Sequence, residues 1–274
     1  MAQRQPRIGI ALGAGSARGW AHIGVLQALK DAGIAPEMVC GTSVGALVGA
    51  VYADDRLTDL ERWVSSLTWR KVVSYFDIAF SSGILKGNRL FDFLRGNLLD
   101  KRVEELQRPF AAVATDLANG HEVWLREGPV ADAVRASIAM PGLFTPWRSD
   151  ERLLVDGALV NPVPVSLARA MGADFVIAVD MSSNLVGRYV RTAKSRKRPK
   201  GPSMIEVMTT SLDIMSVRIT RSRLAGEPAD VIVQPRLGDL GLLEYHRGAE
   251  AIAEGRAAAE LAIPHIRRLL EDFT

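Results

Sequence analysis

The chain is 274 residues long, 48% hydrophobic, and carries a formal net charge of +3; that is enough apolar material for one large buried core and too weak a charge to point to nucleic acid as a partner. Its single cysteine, Cys40, excludes a disulfide within the chain and reads as a small buried hydrophobe. No apolar run approaches the roughly eighteen residues of a membrane span, and residues 1–7 lack the apolar stretch of a secretory leader, so a cytoplasmic protein is expected.

A first strand predicted over 8–12 runs into Gly13-Ala14-Gly15-Ser16-Ala17-Arg18-Gly19, a Gly-rich loop that opens a helix over 18–31. Loops of this kind present bare amides, and acyl transfer needs such donors aimed where the tetrahedral oxygen develops. Gly15, Ser16 and Ala17 are the natural donors. A second strand, 38–41, leads into Gly41-Thr42-Ser43-Val44-Gly45 and a helix over 44–53. This is the spacing of a nucleophile elbow: the apex residue is held in a strained backbone, and the positions two before and two after must be nearly free of side chain. Ser43 is the apex, Gly41 and Gly45 flank it, and the amide of Val44 falls at a helix N-terminus. The same five residues also suit an ordinary Gly-rich turn with an N-capping hydroxyl.

Helices follow over 57–67 and 88–98, and between them Trp63, Trp69, Tyr75, Phe76 and Phe80, ending at Gly83, suit a cap over a site or a satellite of the core. Strands over 110–115 and 121–125 and a helix over 130–138 precede a strand over 153–156 that ends in Asp156-Gly157-Ala158. Working groups of open α/β sheets collect at the carboxyl ends of strands, where Asp156 would meet Ser43. A carboxylate can take the serine proton and return it, and partial desolvation by Leu154 and Val155 would strengthen it as a base. After a helix over 163–171 and a strand over 175–180, Arg188, Arg191, Lys194, Arg196, Lys197, Arg198 and Lys200 form a basic run with no acid between Met181 and Ile205. It reads as a mobile loop at about 182–203, either a solvated connector or a contact for anionic lipid head groups. The helix over 204–224 repeats Met204, Met208, Leu212, Met215 and Ile219 on one face, by default for core packing, with an acyl tunnel or a dimer face as the other readings. A strand over 231–234 and a helix over 248–270 complete the chain, the latter expected to break or kink near Ile263 at Pro264.

The Gly-rich loop with Arg18, the elbow at Ser43, Val113-Ala114-Thr115-Asp116-Leu117 followed by Gly120, the run from Ala136 through Met140-Pro141-Gly142 to Phe144, and Asp156-Gly157-Ala158 occur in an order that resembles the patatin-like phospholipases. The resemblance is to bacterial members near the neuropathy-target-esterase branch. It implies a three-layer α/β/α fold with a mainly parallel central sheet, as a single domain over 1–274. It also implies a Ser-Asp dyad, carried here by Ser43 and Asp156, and an oxyanion loop at Gly15, Ser16 and Ala17. Gly13, Arg18, Gly19, Gly41, Gly45, Gly157 and Ala158 are the supporting positions. The implied activity is hydrolysis of phospholipid or lysophospholipid esters through an acyl-enzyme, without cofactor or metal; peripheral contact with an anionic membrane surface through the basic run, and a homo-oligomer, are further possibilities. Ala14 and Ser16 interrupt what in many relatives is an unbroken glycine run, leaving open which amides face the substrate.

Three rival readings remain, one of them a lipid-binding scaffold with a dead site. Ser43, Asp156 and His246 come in the Ser, acid, His order of an α/β-hydrolase triad. Gly13-Ala14-Gly15 also opens a helix after a strand as a dinucleotide site does, but Arg18 stands where that fingerprint needs Gly or Ala, and the second strand ends in Gly41-Thr42-Ser43 without the acidic ribose ligand.

Overall fold

The computed structural model of the chain describes residues 5–75, 88–182 and 204–273. Strands β1 (Ile8–Leu12), β2 (Met38–Thr42), β3 (Phe110–Asp116) and β7 (Phe175–Val179) are buried almost throughout, as expected of parallel strands covered on both faces. Side chains alternate across the sheet. Ile10, Leu12, Val39, Ile177 and Val179 face one core, while Ala11, Met38, Cys40, Val113, Val176 and Ala178 face the other. With β8 (Val231–Val233), β1, β2, β3 and β7 form a parallel sheet, β3-β2-β1-β7-β8.

The remaining strands are antiparallel: β4 (Glu122–Leu125) and β6 (Arg152–Asp156) both pair with β3, and β5 (Trp147–Ser149), which has no counterpart among the predicted strands, pairs with β6. The register of β3 decides the layout of the site. Val113 pairs with both Thr42 and Trp124, and Ala114 with both Val123 and Asp156. A residue can bridge two partners only across its two edges, so β4 runs along one edge while β2 and β6 share the other. They meet there end to end. A carboxyl end of an antiparallel strand would ordinarily lie at the far side of a sheet; here β6 descends onto the tip of β2.

Helices α1 (Ala21–Asp31), α2 (Val44–Ala53), α3 (Leu57–Ser65), α4 (Trp69–Tyr75), α5 (Asn88–Asn97), α6 (Val130–Ser137), α7 (Val165–Ala170), α8 (Met204–Gly226) and α9 (Gly248–Glu271) cover the sheet. The two cross-packed helices α1 and α9 approach at Gly24 and Gly255, where an added Cβ would stand 1.9 Å from the carbonyl oxygens of Ile252 and Ala21. Backbone contact this close pins the helix leaving the Gly-rich loop to the C-terminal helix.

Three expectations need correction. Helix α9 continues through Pro264 instead of breaking at Ile263; the lost amide bond is offset by Ala259, Ile263 and Ile266, buried on both sides of the proline. The methionine face of α8 is not core: Val207, Met208, Ile214 and Met215 are 43–48% exposed, and Leu212 and Ile219 are half-buried. Position 18 belongs to a 3₁₀ turn, Ser16–Trp20, that precedes α1. The side chain of Met204, the aromatics Phe76 and Phe80, Gly83 and nearly all of the basic loop, 183–203, lie outside the described residues. Ser182, where that loop was expected to begin, is buried and donates through both N–H and hydroxyl to Asp180.

Candidate active site

Ser43 stands between β2 and α2 at φ 58° and ψ −126°, a conformation that costs a side-chain-bearing residue about 1–3 kcal/mol. Its neighbours leave no alternative. A Cβ on Gly41 would lie 2.3 Å from the carbonyl oxygen of Gly45, and one on Gly45 would lie 2.2 Å from that of Leu12. The turn is therefore packed backbone to backbone. Ser137, at the end of α6, completes it: its Oγ donates to the Val113 carbonyl at 2.6 Å and accepts the Ser43 N–H at 2.8 Å. Nothing in the sequence spacing marked Ser137, because it acts through a contact 94 residues away.

The strand junction brings the acid to the serine. Asp156 pairs with Ala114 one step beyond the point where Thr42 pairs with Val113, and Ser43 Oγ donates to Asp156 Oδ2 at 2.7 Å. Gly157 makes the junction sterically feasible, since a Cβ there would lie 2.3 Å from the Val113 carbonyl oxygen. The other carboxylate oxygen, Oδ1, accepts the N–H of Ala158 at 2.8 Å, and the Asp156 carbonyl accepts from Thr115 Oγ1. Burial pushes the Asp156 carboxyl up to about 6, against the smaller opposing pull of the Ala158 N–H and the Ser43 hydroxyl. Asp156 is thus a stronger base than an exposed carboxylate, yet ionised above neutrality.

The Gly-rich loop lies across the elbow. Gly19 allows this contact, because a Cβ on it would overlap Val44 Cγ1 at 1.9 Å. Several loop amides are already committed: Gly13 N–H donates to Val179 O, Ala14 to Pro162 O, Ala17 to Leu242 O at 3.1 Å and Arg18 to Gly15 O. Among the described residues no backbone acceptor takes the amides of Gly15 and Ser16, nor that of Val44 in the first turn of α2. Of the three expected donors, Ala17 is accordingly corrected to a structural one. Its amide is turned to a strap at 240–245 that no motif announced. Arg18 is buried, with Nε donating to Leu240 O at 3.0 Å and its two terminal nitrogens paired with Asp213 of α8 at 3.1 and 3.2 Å.

Ser43 opens into a narrow, partly open pocket whose walls are mostly apolar: Trp20, Leu47, Trp63, Val72, Leu94 and Phe144 among others, with Ser16 and Tyr245 as polar neighbours of the serine. Trp63 and Tyr75 of the expected aromatic cap do line it, whereas Trp69 is 58% exposed and packs edge-on to His246. Met140 and Leu143, from the run after α6, form another wall. Such a lining offers extensive apolar contact and few polar partners.

No histidine joins the pair. His22 is buried with Nε2–H donating to the Gly13 carbonyl at 2.7 Å, and burial pushes its imidazole down to about 4, so the ring is a neutral brace for the loop. His246 packs against Trp69, and among the described residues no histidine nitrogen bonds to Ser43 or Asp156. Cys40 is fully buried, its thiol directed to the Pro164 carbonyl.

The Patatin-like phospholipase family model matches residues 10–169. An uncharacterized NTE family protein of Mycobacterium tuberculosis is 33% identical across 94% of this chain and 91% of its own length. Human patatin-like phospholipase domain-containing protein 6 is 34% identical over 64% of this chain and 13% of its own. Among solved structures, VipD from Legionella pneumophila superposes with a TM-score of 0.50 at 14% identity, over 96% of this chain and 67% of VipD, a likeness of fold alone.

Proposed function

The chain belongs to the patatin-like phospholipase family, and on that footing we propose that this lipid-ester hydrolase cleaves phospholipid or lysophospholipid esters through a Ser43–Asp156 dyad. The reading rests on one observation above all: a serine oxygen 2.7 Å from a buried carboxylate at the wall of an apolar cavity. In the proposed cycle Asp156 accepts the Ser43 proton as Oγ attacks the ester carbonyl. The tetrahedral oxygen is held by amides of Gly15, Ser16 and Val44, which no backbone acceptor takes among the described residues. Collapse expels the alcohol, which receives the proton from Asp156; water, deprotonated by the same carboxylate, then releases the fatty acid. The acyl chain occupies the cavity during both steps.

Ser43→Ala removes the nucleophile but keeps the fold, so loss of both fluorophosphonate labelling and phospholipid hydrolysis, with unchanged circular dichroism, is the expected result. Unchanged turnover would end the reading. Activity is expected to fall as pH drops through about 6, where Asp156 takes a proton and ceases to be a base. A rate profile flat to the onset of acid unfolding contradicts this. His246→Ala retains activity under the dyad and loses it under a triad.

We also place the lipid surface at α8. It exposes Val207, Met208, Ile214 and Met215, and the Met208 methyl lies against Gly142, between Met140 and Leu143 of the cavity wall. The basic positions 188–200 precede this helix in the chain. Co-sedimentation with anionic but not neutral vesicles, lost on neutralising the seven basic residues, is the expected outcome; equal binding to both removes the proposal.

A further inference from the structure

The matched family region ends at 169, but the loop that faces Ser43 is held from outside it. Residues 16–18 make four hydrogen bonds to the strap at 240–245. Ser16 Oγ donates to Leu242 O at 2.7 Å and lies 2.6 Å from Tyr245 Oη. Ala17 N–H donates to the same Leu242 carbonyl, and Arg18 Nε to that of Leu240. Ser16 has one hydroxyl hydrogen, spent on Leu242, so the Tyr245 hydroxyl is the donor to Ser16 Oγ. Ser16 needs this hold. It sits at φ 50°, a region that disfavours a residue with a side chain, and no backbone acceptor among the described residues takes its amide.

The strap is itself braced. Glu244 Oε2 accepts the Gly241 N–H at 2.6 Å and an Arg247 guanidinium N–H at 2.8 Å, and Arg247 also donates to the Asp239 carbonyl. The Tyr245 ring stands edge-on to Trp20, with centroids 6.0 Å apart, and both rings line the cavity with Ser43. A rigid splint, anchored by its own ion pair and by ring packing, therefore ends in a hydroxyl that grips the one strained residue of the loop.

We infer that Tyr245 is a positioning residue for the reaction, acting through Ser16 Oγ to keep the Gly15 and Ser16 amides aimed at the oxyanion. The inference rests on the acyl-hydrolase reading above. Tyr245→Phe keeps the ring and removes only the hydroxyl, so the acyl cavity keeps its shape. The effect belongs in kcat, on the order of 10- to 100-fold down, with KM within about threefold of wild type. The inflection near pH 6 stays where it was, because Asp156 is untouched.

The decisive experiment is a double-mutant cycle. Ser16→Ala, Tyr245→Phe and the double variant are compared by kcat, KM and the second-order rate of fluorophosphonate inactivation. Losses in the double variant no greater than in either single variant support action through one bond. Multiplied losses, or wild-type kcat in Tyr245→Phe, overturn it. Where Ser16→Ala fails to fold, Ser16→Gly takes its place, since glycine adopts this φ freely. Hydrogen exchange of the 13–18 peptide supplies a readout independent of turnover: faster exchange in Tyr245→Phe is expected, and unchanged protection counts against the inference. A wild-type protein that neither hydrolyses nor labels would defeat the acyl-hydrolase reading, while the exchange measurement would still decide whether Tyr245 holds the loop.

Discussion

Two turns of this chain hold a serine at positive φ, Ser43 at 58° and Ser16 at 50°, and they are held by different means. The elbow is locked by backbone contact, with carbonyl oxygens filling the space where side chains of Gly41, Gly45 and Gly157 would be. The Gly-rich loop is tied by hydrogen bonds and a part-buried ion pair to residues more than 190 positions away. Steric locking depends on nearby residue types and tolerates no substitution; polar tying depends on distant partners and can be loosened by degrees. In the proposed chemistry the nucleophile would thereby be fixed and the amides that stabilise its transition state adjustable.

The strongest way to break that contrast is Gly45→Ala. The added methyl would meet the Leu12 and Gly13 carbonyl oxygens at 2.2 and 2.7 Å, and neither strand end has room to move. A loss of more than about 4 kcal/mol, seen as aggregation or a collapsed melting temperature, is expected. A soluble variant with a wild-type melting curve would mean that the elbow is as adjustable as the loop.

Asp156→Asn probes the elbow side in the opposite direction. The folded state holds the Asp156 proton more tightly than the unfolded chain does, since burial raises the carboxyl from 3.8 to about 6. Ionisation therefore costs stability as pH rises through that interval, by up to about 3 kcal/mol at neutral pH. An amide of the same shape can accept from Ala158 N–H and donate to Ser43 Oγ without carrying charge. The variant is expected to be inactive yet more stable at pH 7, with the gain vanishing below pH 4, as followed by denaturant unfolding at the two pH values. A destabilised variant at pH 7 would show that the carboxylate is a net structural asset.

The same division explains what could be read from the sequence. The elbow, the Gly-rich loop and Asp156-Gly157-Ala158 announce themselves because steric locking requires glycine at fixed offsets, and offsets survive in a linear string. The meeting of Ser43 with Asp156 was expected from strand ends, but its cause, two strands sharing one edge of β3, lies in a register that no local pattern encodes. Strand β5 is three residues long, too short to show alternation. The commitment of the Ala17 amide, the bracing by Ser137 and the strap at 240–245 were illegible for a common reason: each is a polar contact between residues far apart, and serine, leucine and tyrosine carry no spacing signal for it. The face of α8 misled because helical apolar periodicity looks the same whether it meets a core or is left exposed.

The smallest expected effect tests the adjustable side. Arg18 is 1% exposed and its only carboxylate partner among the described residues is Asp213, 22% exposed, on α8. Asp213→Asn keeps one acceptor for the guanidinium and leaves the bond to Leu240 O intact, so Arg18 loses its counter-charge without losing all its hydrogen bonds. Partial solvent access at Asp213 screens the pair, and a cost of about 1–2 kcal/mol follows, a fall of a few degrees in melting temperature. The stability loss should come with faster hydrogen exchange in 13–18 and unchanged exchange in 41–45. If both segments loosen together, the loop and the elbow are one mechanical unit, joined through Gly19 and Val44, and the distinction between a fixed Ser43 and adjustable amides fails.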